Sequence, residues 1–430
     1  MRMFVRVTAV LFFFVLHQCA SYTDEIKDMR QDFMNQKYKS SLERIEKSPL
    51  KTSDRNRLLY NMEKAMILDR MEEFEGSRKH LFQADKIADD LYTTSISRTA
   101  ETLIINESMS DYEGEDYEKV AIHTMAALSF LEEGKISEAR VEAKKINSKL
   151  HEITQTYDPK YLHYKEDAFA RFLSGIIYEK MQNWDDAIID FRKALEVYNS
   201  SAYSKFYEGG TPEVVVTSLY GVALKRKRTD IIKDLKAQYP KLIQRYEAEA
   251  QANPHGGDIV VFHEAGYVAI KQAKEFLLPV SDQIVRLSFP YIDRQKIDWR
   301  STQTGVKVDG SYIQAVNTLN MNALAYQCLE DRRGRLIAKG IARLLLKGQL
   351  TYQAQKNFGL LGGIAANVFS AVTETADTRS WTLLPEAFYV NRVRVNTGKH
   401  SVETKTAGRI TNIRSVDVKS DDLTILRSKS

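Results

Sequence analysis

The chain has 430 residues, 43% of them hydrophobic and 28% charged, so it can bury more than one core and is not a disordered polymer. Eight prolines and 20 glycines exclude a collagen-like or Pro/Gly-rich chain, and two cysteines exclude a disulfide scaffold or a four-cysteine zinc site. A formal charge of +5 is too mild for a dedicated nucleic-acid binder, whose basic residues are much denser.

Residues 1–19 read MRMFVRVTAVLFFFVLHQC. Arg2 and Arg6 precede an apolar stretch from Val7 to Leu16, broken only by Thr8. That stretch is about half of the roughly 20 residues needed to span a bilayer and has the size of a signal-peptide core. Leu16-His17-Gln18-Cys19 resembles a bacterial lipobox, with Leu16 at the apolar first position and His17 and Gln18 departing from the small residues usual there. The expectation is a signal peptide over residues 1–18 and a lipid anchor on Cys19, stable because several acyl chains hold where one is marginal. Ala20, where an aspartate would retain the protein elsewhere, points to the outer membrane, facing the periplasm. Loss of Arg2 and Arg6 leaves 60 basic against 57 acidic residues. Cys328, in the apolar stretch ALAYQCL, is then the free thiol and reads as a small core residue.

From Tyr22 to Ala252 charged and apolar residues alternate at helical spacing, and a self-similar unit recurs. In its clearest copy, residues 168–201, Gly175, Tyr178, Ala187, Phe191 and Ala194 fall where a tetratricopeptide (TPR) repeat requires small residues at a helix crossing and large ones around it. Residues 58–88 and 120–150 fit more loosely, residues 24–48 weakly, and Thr211-Pro212-Glu213 opens a further unit. Ala65 to Ala127 is 62 residues and Ala127 to Gly175 is 48, against 34 for a tandem array, so inserts are expected near 89–117 and 151–166. The insert SDYEGEDYEKVAIH is either a surface loop that meets a partner or a connection that caps the next helix. Such solenoids bind peptides or protein surfaces in a concave groove. Phe169, Phe172, Ile176 and Glu179 should line it, as a partner-binding site or as packing against neighbouring units or the second domain.

The period changes near Asn253. DIVVFHEAG, YVAIKQ, KEFLLP and IVRLSFPYI read as strands, and from about Ser311 the pattern returns to helix, with a break near Gly334 and a further apolar helix, GLLGGIAANVFSAVTE. Strands resume after Pro385. The expected architecture is α+β: a TPR-like solenoid over 19–252, then a mixed domain over 253–430 in which strands of 258–291 pair with strands of 386–428 around inserted helices at 311–376, as a sandwich or curled sheet.

DYEGEDYEKV, NWDDAIIDFRKAL, DIVVFHEAGYVAIKQ, LIAKGIARLLLK and above all FGLLGGIAANVFSAVTETADTRSWTLLPE together resemble a family of bacterial TPR-containing outer-membrane lipoproteins, from about residue 20 to 405. The resemblance implies an envelope lipoprotein with a helical-repeat half and a strand-containing half, and no established activity. Within its most specific string, Asp377 and Arg379 either pair or cap the preceding helix, with Trp381 anchoring the helix-to-strand join, or Arg379 and Trp381 meet a partner or a glycan. The basic run Arg332, Arg333, Arg335, Lys339, Arg343 and Lys347 is either a solvated face or a surface for anionic lipid or peptidoglycan. His255 has no G-x-S-x-G elbow to serve, His263-Glu264 lacks a zinc-protease partner, and no phosphate-binding glycine loop occurs. The expectation is a non-enzymatic adaptor without cofactor or metal that binds envelope proteins through its repeats and the membrane through Cys19. The alternative is a protein that binds peptidoglycan or another glycan.

Overall fold

A computed structural model describes residues 22–97, 107–156, 164, 166–204, 210–280, 283–293, 303–373, 375–406 and 408–429. The expected signal peptide, Cys19 and the middle of each expected insert lie outside these residues.

The first half is a stack of helical hairpins. They pair α1 (Tyr22–Met34) with α2 (Tyr38–Lys47), α3 (Arg57–Arg70) with α4 (Phe74–Ser97) and α5 (Asp116–Glu132) with α6 (Ile136–Thr156). Next come α7 (Ala168–Lys180) with α8 (Trp184–Tyr198) and α9 (Glu213–Lys225) with α10 (Thr229–Gln238), and α11 (Pro240–Ala252) closes the stack. The hairpins share one turn chemistry. Gln36, Glu72, Gly134, Gln182 and Lys227 each adopt a left-handed φ between 54° and 69°. The following residue donates its N–H back five positions, as Asn183 does to Tyr178 at 2.9 Å and Glu73 to Leu68 at 2.9 Å. This satisfies the carbonyls of the first helix and reverses the chain within three residues. Only one of the five turns uses glycine, because the bonded carbonyls offset the roughly 1–2 kcal/mol of left-handed strain in the others. At the best-matched hairpin the crossing is close: a Cβ added at Gly175 would lie 2.5 Å from the Phe191 ring. The hairpin geometry makes this half a TPR-like solenoid.

The second half is a β-sandwich with an inserted helix. Its strands are β1 (Gly257–Ala265), β2 (Gln272–Val280), β3 (Gln283–Tyr291), β4 (Gly305–Val308), β5 (Ser311–Gln314) and β6 (Val316–Asn320). After α12 (Met321–Thr373) follow β7 (Ala387–Val395), β8 (Gly398–Thr406), β9 (Arg409–Val418) and β10 (Leu423–Lys429). One sheet runs β10-β1-β7-β6, the other β5-β4-β8-β9, and β2 and β3 form a separate ribbon. In the first sheet β1 is antiparallel to β7 and parallel to β10, so strands from both ends of this half do pair. All nine residues of β1 are buried, and their alternation has two destinations. Ile259 and Val261 face the second sheet with Val306, Val308, Val402, Val418 and Leu426. Val260 and Phe262 face the solenoid core.

Three expectations are corrected. Residues 311–320, expected as the start of the helix, are two short strands, and 305–308 is a third strand beside them. Asp309 (φ 47°) and Gly310 (φ 91°) make the two-residue turn between β4 and β5, an Asp-Gly hairpin signal that helical spacing downstream obscured. The segment 267–271, part of the expected strand YVAIKQ, is irregular and is held by Val268 N–H donating to the Leu384 carbonyl.

The helix does not break at Gly334 but runs from Met321 to Thr373 as one helical segment. It cannot be straight, since 53 residues would span ~80 Å. Its first residue bonds the Glu386 carbonyl, and Ala376, just past its end, bonds Ser288 Oγ. Residues 376 and 386 can lie no more than ~35 Å apart, so the helical segment must bend along its length.

Candidate functional site

The first helix of each hairpin lines the concave face of the solenoid. Glu63 and Arg70, seven apart on α3, project from one side of that helix, as do Phe169, Phe172, Ile176 and Glu179 on α7. The expected groove is therefore located, but it is not open. Phe169 stacks on Phe388 of β7 with centroids 4.6 Å apart and meets Phe262 of β1 at 6.1 Å, and Phe172 lies 6.4 Å from Phe262. Phe169, Phe172 and Ile176 are wholly buried. Glu179 is paired bidentately with Arg392 of β7 at 2.7 and 2.8 Å. Of the readings open for these four residues, packing against the second half is the one the structure adopts, and they are not available to a separate partner. At about 1.5–3 kcal/mol per fully buried aromatic, these rings alone make the two halves one packed unit.

Ion pairs sunk in this interface extend the lock. Arg427 of β10 is bidentate to Asp69 of α3 at 2.8 and 3.0 Å and also pairs with Glu264 of β1, which Arg70 meets at 2.9 Å. Arg392 adds Asp258 at 2.6 Å and Ser218 of α9 at 2.9 Å. Asp69, Arg70, Glu264 and Arg427 are buried and Arg392 nearly so, and the pairs Arg427–Asp69, Arg70–Glu264 and Arg392–Glu179 cross between the halves.

The segment after α12 occupies the rest of the concave face. It carries no helix or strand over 375–386 and is read by its main chain. Glu63 accepts from Thr382 N–H at 2.7 Å, Thr382 Oγ1 at 2.8 Å, Leu383 N–H at 3.1 Å and Tyr22 Oη at 3.0 Å. Glu118 accepts from Trp381 N–H at 2.7 Å and Tyr112 Oη at 2.6 Å. Arg30 of α1 donates to the Thr382 carbonyl at 3.4 Å. Three consecutive N–H groups of an irregular segment that turns at Thr382 and Leu383 thus meet two carboxylates from different hairpins, so the groove holds this segment by its main chain. That segment belongs to the same chain.

The string TADTRSWTLLP is part-buried at Thr375, Ala376 and Asp377 and buried from Thr378 on. Asp377 receives both ends of the Arg379 guanidinium at 2.8 Å, and Arg379 reaches on to Asn56 Oδ1 at 3.1 Å and the Ser110 carbonyl at 3.0 Å. Trp381 is 0% exposed. Pairing and anchoring are therefore what these residues do, and Arg379 and Trp381 are not presented to a glycan or a partner. The insert Ser110–His123 belongs to the same knot. Glu115 and Glu118 form a reciprocal capping box at the start of α5, and Glu115 also pairs with Lys271 and Arg332. Lys271 in turn donates to the Arg379 carbonyl at 3.0 Å.

Burial sets the electrostatics here. It raises Glu63 to about 7, only partly offset by the donors from Thr382, Tyr22 and Leu383. It also raises Glu118. At Glu115 burial acts upward too, but the charges of Arg332 and Lys271 outweigh it and hold the carboxyl at about 2. Tyr22 has one hydroxyl proton and two oxygen neighbours, Glu63 Oε1 at 3.0 Å and the Ser380 carbonyl at 2.9 Å. A neutral Glu63 can therefore donate to Tyr22 while Tyr22 donates to Ser380, so both protonation states find partners. Cys328 is buried, and burial pushes its thiol well up, in keeping with a core role.

An open surface lies elsewhere. Between α6, α7 and α8 a polar cleft of about 310 Å³ is lined by Asn147, His151, Glu166, Arg171, Asp190 and Lys193, among others. Arg171 is fixed at its floor by Glu166 at 2.6 and 2.8 Å and Asp190 at 3.1 Å. Ile189, on the rim, is 53% exposed. Sequence reasoning missed this cleft because its residues read as the polar faces of three separate helices. Among the described residues no group of three or more His, Cys, Asp or Glu side chains is set to hold a metal ion, and no helix is long and apolar enough to cross a membrane.

No protein-family model matches the chain, and no curated protein matches it. Among solved structures it is similar to the apo form of RapI, at 12% identity and a TM-score of 0.34, over 54% of this chain and 73% of that one. It is also similar to two structures of nearly identical TPR-like repeats of a Podosopora anserina kinesin light chain. Their TM-scores are 0.33, at 11% and 10% identity, over 54% and 53% of this chain and 96% and 95% of those.

Proposed function

We propose that the chain is a non-catalytic, lipid-anchored scaffold of the bacterial cell envelope whose solenoid spends its concave face on its own second half and presents its outer cleft to a protein partner. The observation that carries this reading is the occupied groove. Glu63 and Glu118 hold Trp381, Thr382 and Leu383 by the main chain, and the rings of Phe169 and Phe172 lie under β1 and β7. A groove filled in cis makes a rigid platform, and binding then falls to exposed surfaces. The cleft of Asn147, Glu166, Arg171 and Lys193, with Ile189 on its rim, offers mixed charge around one apolar side chain, which suits a polar protein segment. Export and anchoring rest on Arg2, Arg6, the apolar stretch Val7–Leu16 and Cys19, with outer-membrane sorting on Ala20.

Cross-linked pull-down from envelopes tests the scaffold. Wild type should recover a partner that Ile189→Asp with Lys193→Glu does not, and recovery of the same proteins by both would refute the cleft. Fractionation tests the anchor: Cys19→Ala should leave the membrane fraction, and a wild type without acyl mass whose Cys19→Ala variant stays membrane-bound would refute it.

A further inference from the structure

We propose that α12 and the β2–β3 ribbon packed on it form a docking surface for anionic membrane lipid, acting through side chains independently of any lipid on Cys19. Charge selects the ligand. From Arg332 to Thr373 the sequence carries seven Lys or Arg residues and no Asp or Glu. The whole chain is +5, so this stretch of 42 residues holds an excess that the other 388, at a net −2, do not share.

Geometry then divides the helix into two faces. At 3.6 residues per turn, Leu336, Gly340 and Arg343 fall on one narrow arc, and all three are buried. Gly340 sits over the ribbon, where an added Cβ would lie 3.3 Å from Phe289 and 3.6 Å from Leu287. The opposite, wide arc is exposed. Ile337 and Ile341, one turn apart, form a ridge 37% and 47% exposed. Arg333 borders that ridge on one side; on the other, the exposed Gly334 and Ala338 widen the apolar strip, and Arg335 and Lys339 stand beyond them, roughly 120° and 160° round the helix from Ile341, all three cations exposed. The ribbon adds Phe276, opposite Leu287 on the face toward α12, at 44% exposure, and Tyr352 farther along α12 is 70% exposed. An apolar strip with cations at both edges is the arrangement with which interfacial helices lie in a headgroup layer: cations meet phosphates while aliphatic side chains enter the acyl boundary. A nucleic acid would match the cations but gain nothing from Ile337 and Ile341. These two are adjacent, one turn apart on one face, rather than scattered singly.

The test is sedimentation of the full-length chain with vesicles of pure phosphatidylcholine or of phosphatidylcholine containing phosphatidylglycerol. The preference for the anionic vesicles reads the surface of α12 and the ribbon, because the apolar N-terminal stretch is present in every sample. Wild type should bind the anionic vesicles more tightly, and the preference should shrink as salt is raised. Each basic residue near such a surface is worth roughly fivefold in affinity. Arg333→Gln, Arg335→Gln and Lys339→Gln together should therefore weaken binding on the order of 100-fold. Charge-conserving Arg333→Lys, Arg335→Lys and Lys339→Arg should keep it. Ile337→Ser with Ile341→Ser should lose several-fold while the remainder stays salt-sensitive. All of these positions are exposed, and circular dichroism confirms that each variant is folded. Equal binding to both vesicle types, anionic binding unchanged in the triple Gln variant, or tight binding to duplex DNA without vesicle binding would each overturn the proposal.

Discussion

Removing the Glu63 carboxylate is the sharpest perturbation of the occupied groove. In Glu63→Ala the hydroxyls of Thr382 and Tyr22 can turn elsewhere, Tyr22 to the Ser380 carbonyl already 2.9 Å away. The N–H groups of Thr382 and Leu383 cannot turn, and both are buried. At roughly 1–3 kcal/mol for each buried donor left unpaired, the loss is ~2–6 kcal/mol, a large share of the ~5–15 kcal/mol that holds a domain folded. Glu63→Gln keeps an oxygen for Thr382 and turns an amide nitrogen toward Leu383 N–H, so it should lose about half as much. The assay is urea unfolding of both variants, repeated with Thr382→Val in each background. Thr382→Val should cost ~1 kcal/mol in wild type, by loss of its bond to Glu63, and close to nothing beyond that in Glu63→Ala. A Glu63→Ala midpoint equal to wild type, or an equal Thr382→Val cost in both backgrounds, would refute the reasoning.

Glu63 also carries a pH dependence. Its folded value, raised by burial to about 7, lies above the ~4.3 of an unfolded glutamate, so between the two the folded chain holds a proton that the unfolded chain has released. Its contribution is full below about pH 4.3 and is lost as pH rises through about 7, and the wild-type-minus-Glu63→Gln difference in urea stability should decline across that window. Arg427→Ala should destabilise by ~3–5 kcal/mol, because Asp69 and Glu264 would be left buried without their shared cation, and thermal melts read the loss. Gly175→Ala should cost ~1–3 kcal/mol by forcing Phe191 away from a Cβ that would lie 2.5 Å from its ring, while Gly134→Ala, with nothing within 4 Å, should cost only the ~1 kcal/mol of left-handed strain at its φ of 69°. Ile189→Asp with Lys193→Glu should leave the melting temperature near wild type, since both side chains stand at a cleft rim.

The hairpins were legible because their evidence is local. Gly175 and Ala187 are small, Tyr178 and Phe191 large, and the spacing between them lies within one unit. The strand half was legible where alternation ran long, as in DIVVFHEA, and failed at 311–320, where strands of four or five residues carry too few alternations to compete with the helical run behind them. Gly334 misled because an isolated glycine costs a helix only ~1 kcal/mol, which flanking strong helix formers cover. The candidate site was legible only as residue types. Phe169, Phe172, Ile176 and Glu179 do lie on the concave face, and Asp377, Arg379 and Trp381 do anchor the segment after α12. What fills the groove depends on partners such as Glu63 and Thr382, 319 residues apart. In RLLYNMEKAMILDR, Glu63 reads as a solvent-facing charge, and nothing local marks it as the acceptor for a distant main chain.

The central claim is that the solenoid's concave face is closed by its own chain. Hydrogen exchange of the amides of Trp381, Thr382 and Leu383 tests it most directly. All three donate to buried carboxylates, so they should exchange only with opening of the whole interface, as slowly as the amides of β1, and Glu63→Gln should speed Leu383 most. Exchange of these three amides at the rate of an exposed loop, while β1 stays protected, would contradict it.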